Sequence, residues 1–257
     1  MAEDYEVLRK LWDGRIPILI FLDETEFPNR PVRPFCAMVR RIGYFPLILP
    51  QVLEFFGIDE VSFSPWLQYN GKPIKHYPIG VLFDILKIDR LLPWSITLKT
   101  KDFPNEIIHC SGNALQMCFM QSIKEADQLK HDSKIINSMK PDEHIQLWNG
   151  VLHDRYDEYW IVNRKLMENS DQNPLLHVPI RIYRGDERYY QPLISPQDND
   201  GQLITIEKAI RQYFFDDKII PLSFNILLPL ETPILWMCQN FTYADNFIHI
   251  VVTTKSS

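Results

Sequence analysis

Apolar positions keep helical spacing for several consecutive turns in one part of the chain, a block from about Ser111 to Glu168. In its first helix Leu115, Phe119, Ile123, Ala126 and Leu129 recur at intervals of three and four, which is one face of a 3.6-residue helix. Lys124 borders that stripe, with Asp127 three residues on to screen its charge. Position alone gives it the ordinary role of a solvated lysine running its stem along an apolar seam. The second helix is expected from about Asp142 to Glu168, with Ile145, Trp148, Leu152, Tyr156, Tyr159, Asn163 and Leu166 in step. Pro141 suits its start, Asp142 and Glu143 its positive end, and Arg164 and Lys165 its negative end. Gly150 interrupts it at a cost of about 1 kcal/mol.

The flanking segments read as strands and short helices. Val7, Leu8, Leu11 and Trp12 predict a short amphipathic helix closed at Asp13-Gly14. The run Arg15 to Asp23 is a strand, with Pro17 at an edge or outside the ladder, and Phe35 to Ile42 is its return. Leu49, Val52, Leu53 and Phe56 have helical spacing. Val61-Ser-Phe63 and Trp66 to Tyr69 then lead into Asn70-Gly71, a hairpin signal. Pro78 opens the apolar helix Ile79 to Leu86, and Trp94 to Thr100 alternates as a strand. That order is the order of a ubiquitin-like β-grasp.

After a linker at Asn169 to Pro174 the pattern returns. Val178 to Tyr183 and Tyr189 to Ile194 read as a strand and its return, Thr205 to Phe214 as a helix, and Leu222 to Leu228 as a strand. A proline-started helix at Ile234 to Cys238 and a strand at Phe247 to Thr253 follow. The expected architecture is α+β: two ubiquitin-like β-grasp domains flanking a helix-rich domain. The boundaries fall at 1–104 (N-terminal helix plus first ubiquitin-like domain), 105–172 (helix-rich domain) and 173–257 (second ubiquitin-like domain).

Composition narrows the function. The formal net charge is −6 and no basic run occurs, so nucleic acid is not expected as a ligand. Four scattered cysteines without a C-x-x-C pair fit a reducing compartment, with Cys118 expected in the core of its helix. The acidic start lacks a hydrophobic signal core, and no apolar run approaches the ~20 residues of a membrane span, so a cytosolic protein is expected.

The search for catalytic chemistry is negative. None of the seven histidines lies four residues from another, as a zinc-binding H-E-x-x-H helix requires, and no nucleophile elbow, P-loop or dinucleotide fingerprint is present. Neither a metal nor a cofactor is expected. Cys110 follows His109 directly, but neighbouring residues point apart, and His249 reads as a sheet residue.

Seven blocks carry a resemblance: Trp12-Asp-Gly-Arg-Ile-Pro17, His76-Tyr-Pro-Ile-Gly-Val-Leu-Phe-Asp84, Lys124-Glu-Ala-Asp127, Asn163-Arg-Lys-Leu-Met167, Asp200-Gly-Gln202, Leu230-Glu-Thr-Pro233 and Asp245-Asn-Phe247. In this order, and over essentially the whole chain, the sequence resembles the autophagy protein five family, in an animal form. The stretch Phe215-Asp-Asp-Lys218 is shorter than the resemblance leads one to expect.

The resemblance implies a protein that is not an enzyme on its own. Autophagy protein twelve, a ubiquitin-like modifier, would be joined by an isopeptide bond to the lysine that opens Lys-Glu-Ala-Asp, here Lys124, with Lys130 and Lys134 as neighbours that do not open the motif. A hydrophobic seam beside Lys124 would help seat the modifier. A groove would hold the N-terminal helix of autophagy protein sixteen, a coiled-coil partner; Trp12 and Arg15 are its candidate residues. With the pathway's activating and conjugating enzymes the assembly would act like a ligase, promoting lipidation of a second ubiquitin-like modifier during autophagosome assembly. It would be cytoplasmic, recruited to the pre-autophagosomal (isolation) membrane with peripheral membrane contact. Two rivals stand beside this reading: an unmodified cytosolic adaptor, and a cysteine or lysine enzyme on a β-grasp frame, since that fold serves many functions.

Overall fold

The computed structural model describes residues 4–30, 32–59, 64–107, 109, 112–185, 188–215 and 219–254. The expected strand residues at 61–63, Cys110, and positions 216–218 lie outside them. The chain forms two compact units: Gly14–Leu115, and Gln116–Ser257 together with the segment through Asp13. The N-terminal helix α1 (Tyr5–Trp12) therefore packs with the second unit.

The first unit holds β1 (Arg15–Leu22), β2 (Phe35–Arg40), α2 (Phe45–Phe56), β3 (Trp66–Tyr69), β4 (Lys72–Pro73), α3 (Ile79–Leu86) and β5 (Trp94–Lys99). The strands pair in the order β2-β1-β5-β3-β4. β1 and β5 run parallel and the other pairs are antiparallel. β1 is thus interior. Pro17 faces Met38 of β2, and pairing with β5 starts only at Ile18, so the missing proline N–H breaks no bond on that side. Asn70 and Gly71 take positive φ, as a tight β3–β4 hairpin requires. Alternate residues Ile16, Ile18 and Ile20 of β1 and Trp94, Ile96 and Leu98 of β5 point into one core under α2 and α3. Trp94 is edge-on to Phe45, Tyr69 and Phe83. Arg41 is buried and bonds to Asp84 and to the Gly80 carbonyl, so a charge in this core is compensated.

Besides α1, the second unit takes up α4 (Gly112–His131) from Gln116 onward and continues through α5 (Lys134–Ser138), α6 (Pro141–Leu152), α7 (Tyr156–Leu166), β6 (Ile180–Tyr183), α8 (Ile206–Ile210), β7 (Ile219–Ser223), β8 (Ile226–Leu227), α9 (Ile234–Asn240) and β9 (Ile248–Thr254). Its strands order β6-β9-β7-β8, with β6 and β9 parallel. Among the described residues this is the first sheet without a counterpart of β2. The expected return strand at Tyr189 to Ile194 is reduced to a single bridge, Ile182 to Tyr190; Pro192 cannot donate to a ladder. The single strand expected at Leu222 to Leu228 is a hairpin, because Phe224 and Asn225 take positive φ.

The helix expected from Asp142 to Glu168 is two. Asp154 takes φ 58° and turns the chain, and α7 packs back on α6. Gly150 lies where they touch: a Cβ there would stand 2.6 Å from the Tyr159 Cβ and 2.9 Å from its backbone nitrogen. The glycine is the contact that lets the two backbones approach.

Candidate functional site

Helix α4 sets the geometry around Lys124. Ile123 and Ala126 are fully buried, and a step of about 100° per residue carries Lys124 out to solvent beside Gln121 and Gln128. A shallow cleft of about 340 Å³ opens there, lined by Gln121, Lys124, Glu125, Gln128, Leu129, Ser133 and Gln191. The seam itself faces inward. Leu129 is the apolar side chain that lines the cleft beside Lys124.

The other residues of Lys-Glu-Ala-Asp have structural tasks. Glu125 pairs with Arg181 of β6 at 2.9 Å. Arg181 also bonds to Gln191 and lies 3.6 Å from the Phe247 ring centroid. Ala126 has no exposed surface. Asp127, expected to screen Lys124, is buried instead. Its carboxylate meets His131 Nδ1 at 2.7 Å and accepts the Ile136 N–H at 2.8 Å, which ties α4 to α5. Among the described residues Lys124 has neither an ion-pair partner nor a hydrogen bond.

Lys130, on the same helix, has the opposite environment. It is 1% exposed, and its Nζ donates to the Leu166 carbonyl and to Asn246 Oδ1 and touches Met167 Sδ. Burial pushes its pKa down. This ammonium is a core crosslink between α4, α7 and the turn before β9. Lys134 is exposed at the start of α5. Helical spacing already sets Lys130 on the buried face, four residues after Ala126 and seven after Ile123, but the Leu-Met pair that receives it lies far along the chain.

Trp12 is 4% exposed. Its Nε1–H donates to Asp154 Oδ1 at 2.9 Å, and its ring packs on Tyr156 and Tyr159. It anchors α1 inside the second unit and offers little surface to a partner helix. Asp4 completes that anchorage: it caps α1 through Glu6 and Val7, and its own N–H donates to Asn240 of α9. Arg15 is half-buried at the start of β1 in the first unit. Trp12 thus belongs to the second unit and Arg15 to the first.

Cys238 is buried, and burial pushes its thiol pKa up, away from the reactive thiolate. Cys118 is exposed rather than in the core, since its neighbour Phe119 occupies the inward position on α4. His249 is a buried sheet residue held by Asp245 and the Tyr183 hydroxyl. Among the described residues no cluster of side chains could hold a metal ion, and no helix is long and apolar enough to cross a membrane.

Three family models match the chain in succession. They are described as autophagy protein ATG5, UblA domain, over residues 11–100; alpha-helical bundle region, over 112–169; and UblB domain, over 177–252. A Drosophila melanogaster protein named autophagy protein 5 is 34% identical over 267 residues, covering 99% of each chain. A Caenorhabditis elegans autophagy-related protein 5 is 34% identical over 271 residues, covering 97% of this chain and 98% of its own. A crystal structure of Kluyveromyces marxianus Atg5 superposes with a TM-score of 0.85 over 97% of this chain and 100% of that one; at 19% identity it speaks to the fold alone.

Proposed function

The chain belongs to the autophagy protein 5 family, and we propose that it works in autophagy as the acceptor of a ubiquitin-like modifier, autophagy protein twelve, through Lys124. The observation that carries this is the contrast along α4. Lys124 is exposed and without an ion-pair partner among the described residues, whereas Lys130 is enclosed and bonded. An ammonium has no lone pair, so the conjugating enzyme must take a proton from Nζ. The amine then attacks the thioester carbonyl at the modifier's C-terminus, the isopeptide bond forms and the enzyme's thiolate leaves. Holding the amine on a fixed helix reduces the orientational search before attack.

The conjugate is a scaffold rather than a catalyst. It pairs with the N-terminal helix of autophagy protein sixteen and promotes lipidation of a second ubiquitin-like modifier at the isolation membrane, to which it is recruited from the cytoplasm. Trp12 serves this assembly from beneath, by fixing α1.

The test is reconstitution with the twelve-type modifier and its activating and conjugating enzymes, comparing wild type and Lys124→Arg on a denaturing gel. An adduct formed by wild type alone supports the reading. An adduct retained by Lys124→Arg moves the acceptor to another exposed lysine, with Lys134 first. No adduct from folded, active components favours the unmodified adaptor.

A further inference from the structure

Strand β2 is an open edge with unusual surroundings. Arg41 N–H donates to the Gly14 carbonyl, and Pro17, opposite Met38, has no N–H to give. In an antiparallel pair the backbone groups alternate between partner and outside. The odd-numbered residues from Phe35 to Arg41 therefore bond toward β1. The N–H and C=O groups of Cys36 and Met38 point away from the sheet, and no backbone group among the described residues meets them. The other edges are different. β4 and β8 are each two residues long, and β6 is bridged by Tyr190 through two backbone bonds at Ile182. Met38 is 63% exposed.

A cavity of about 400 Å³ lies at the end of the sheet where β2 begins. Phe21, Phe27, Val32 and Phe56 supply its apolar lining, with Arg30 and Arg33 beside them. Arg30 lies over Phe27, and Arg33 over Phe55 of α2. Neither guanidinium has a carboxylate partner among the described residues. Asp23 and Glu24 also line the cavity, and the Asp23 carboxylate is held by Thr25 and Lys99. Charge is segregated here. From Phe27 through Leu53 the chain carries Arg30, Arg33, Arg40 and Arg41 and no Asp, Glu or Lys, in a protein of net charge −6. Arg41 is neutralised by Asp84.

We propose that β2 is a docking edge for an extended acidic peptide. The peptide adds to the sheet as a further strand through the outward groups of Cys36 and Met38, and it places an apolar anchor side chain in the cavity beside Arg33. Main-chain bonds at a sheet edge supply affinity and an end pocket supplies selectivity. The arginines select acidic flanks and steer association.

The experiment is fluorescence anisotropy with the full chain and a labelled synthetic decapeptide that alternates valine or phenylalanine with glutamate. The same peptide N-methylated at alternate residues is the control. The expected result is saturable binding that falls with added salt and weakens at least about tenfold on N-methylation, which corresponds to one lost backbone bond or more. Met38→Pro removes an outward N–H, is compatible with an edge strand, and should weaken binding by a similar factor. Arg30→Glu combined with Arg33→Glu should weaken it at least about tenfold and abolish most of the salt dependence. Circular dichroism checks that the variants fold, and the N-methylated peptide tests the same bonds without altering the protein. Three results overturn the proposal: no saturable binding to the wild type, equal binding of the N-methylated peptide, or a concentration-dependent dimer by light scattering that Met38→Pro abolishes. The last would assign the edge to a second copy of the chain.

Discussion

Gly150 and Tyr159 touch across the α6–α7 hairpin with no room for a methyl group, since an added Cβ would meet Tyr159 Cβ at 2.6 Å and Cα at 2.9 Å. Two effects compete in Gly150→Ala. Alanine favours the helix by about 1 kcal/mol, whereas overpacking against backbone costs about 1–3 kcal/mol. The nearest atoms include backbone that cannot rotate away, so the clash wins. The variant should unfold at lower urea concentration than wild type. An unchanged or raised midpoint would show that the hairpin can open by the needed fraction of an ångström.

Arg181 and Glu125 should contribute unequally although they form one ion pair. The Arg181 side chain is 8% exposed and that of Glu125 41%. Arg181→Ala also removes the stack on Phe247 and leaves the buried Asp245 without the guanidinium 3.7 Å away. It should cost about 3–5 kcal/mol, as breaking a buried pair does. Glu125→Gln loses a half-exposed partner and should cost less than about 1 kcal/mol. Denaturant titrations of the two single variants and the double variant test the asymmetry. Equal costs would contradict it.

Amine accessibility should follow burial rather than sequence order along α4. In brief treatment of the native protein with an acetylating ester, Lys124 and Lys134 should be modified at least about tenfold faster than Lys130, whose reaction waits on local opening. Peptide mass spectrometry reads the ratio. Comparable rates at Lys124 and Lys130 would mean that the bonds from Lys130 to Leu166 and Asn246 are not held in solution.

Asp23 should strengthen the acid limb of stability. The Thr25 hydroxyl, then Lys99, hold its carboxylate at a pKa of about 2 instead of the ordinary 3.8, against the opposing effect of burial. A folded-state pKa below the unfolded one gives stability that is complete above the ordinary value and is lost as pH falls through about 2. Asp23→Asn should therefore be less stable than wild type at neutral pH by up to about 2 kcal/mol. The difference should shrink steadily between about pH 4 and pH 2. Urea midpoints of both proteins across that window measure it, and a pH-independent gap would remove the titration from the account.

Much of this fold was legible because period and punctuation agree. The stripe Phe119-Ile123-Ala126 predicts the buried face of α4, Asn70-Gly71 predicts the β3–β4 turn, and Pro78 and Pro233 each precede a short apolar helix. Two of the misses, the single helix expected from Asp142 to Glu168 and the single strand expected from Leu222 to Leu228, share one cause. At Asp154, Phe224 and Asn225 the chain turns through positive φ without glycine, inside runs whose apolar pattern continues across the turn. Local composition carries no mark of a break that tertiary packing imposes. The site divides in the same way. Lys124 is singled out through its motif and the Asp127–His131 contact is local to α4, but the bonds that enclose Lys130 and Trp12 come from residues distant in sequence.

The fixed neighbours of Lys124 limit what the proposed linkage there can do. Glu125 is pinned to β6, Ala126 is sealed into the interior and Asp127 is knotted to α5, so that turn of helix keeps one loose part, the four-methylene stem ending in Nζ. Whatever is joined there hangs on a leash from a rigid post. Such a bond would confine its cargo to a small volume without aiming it, and the cargo's bearing would have to come from a second surface that holds it without covalency.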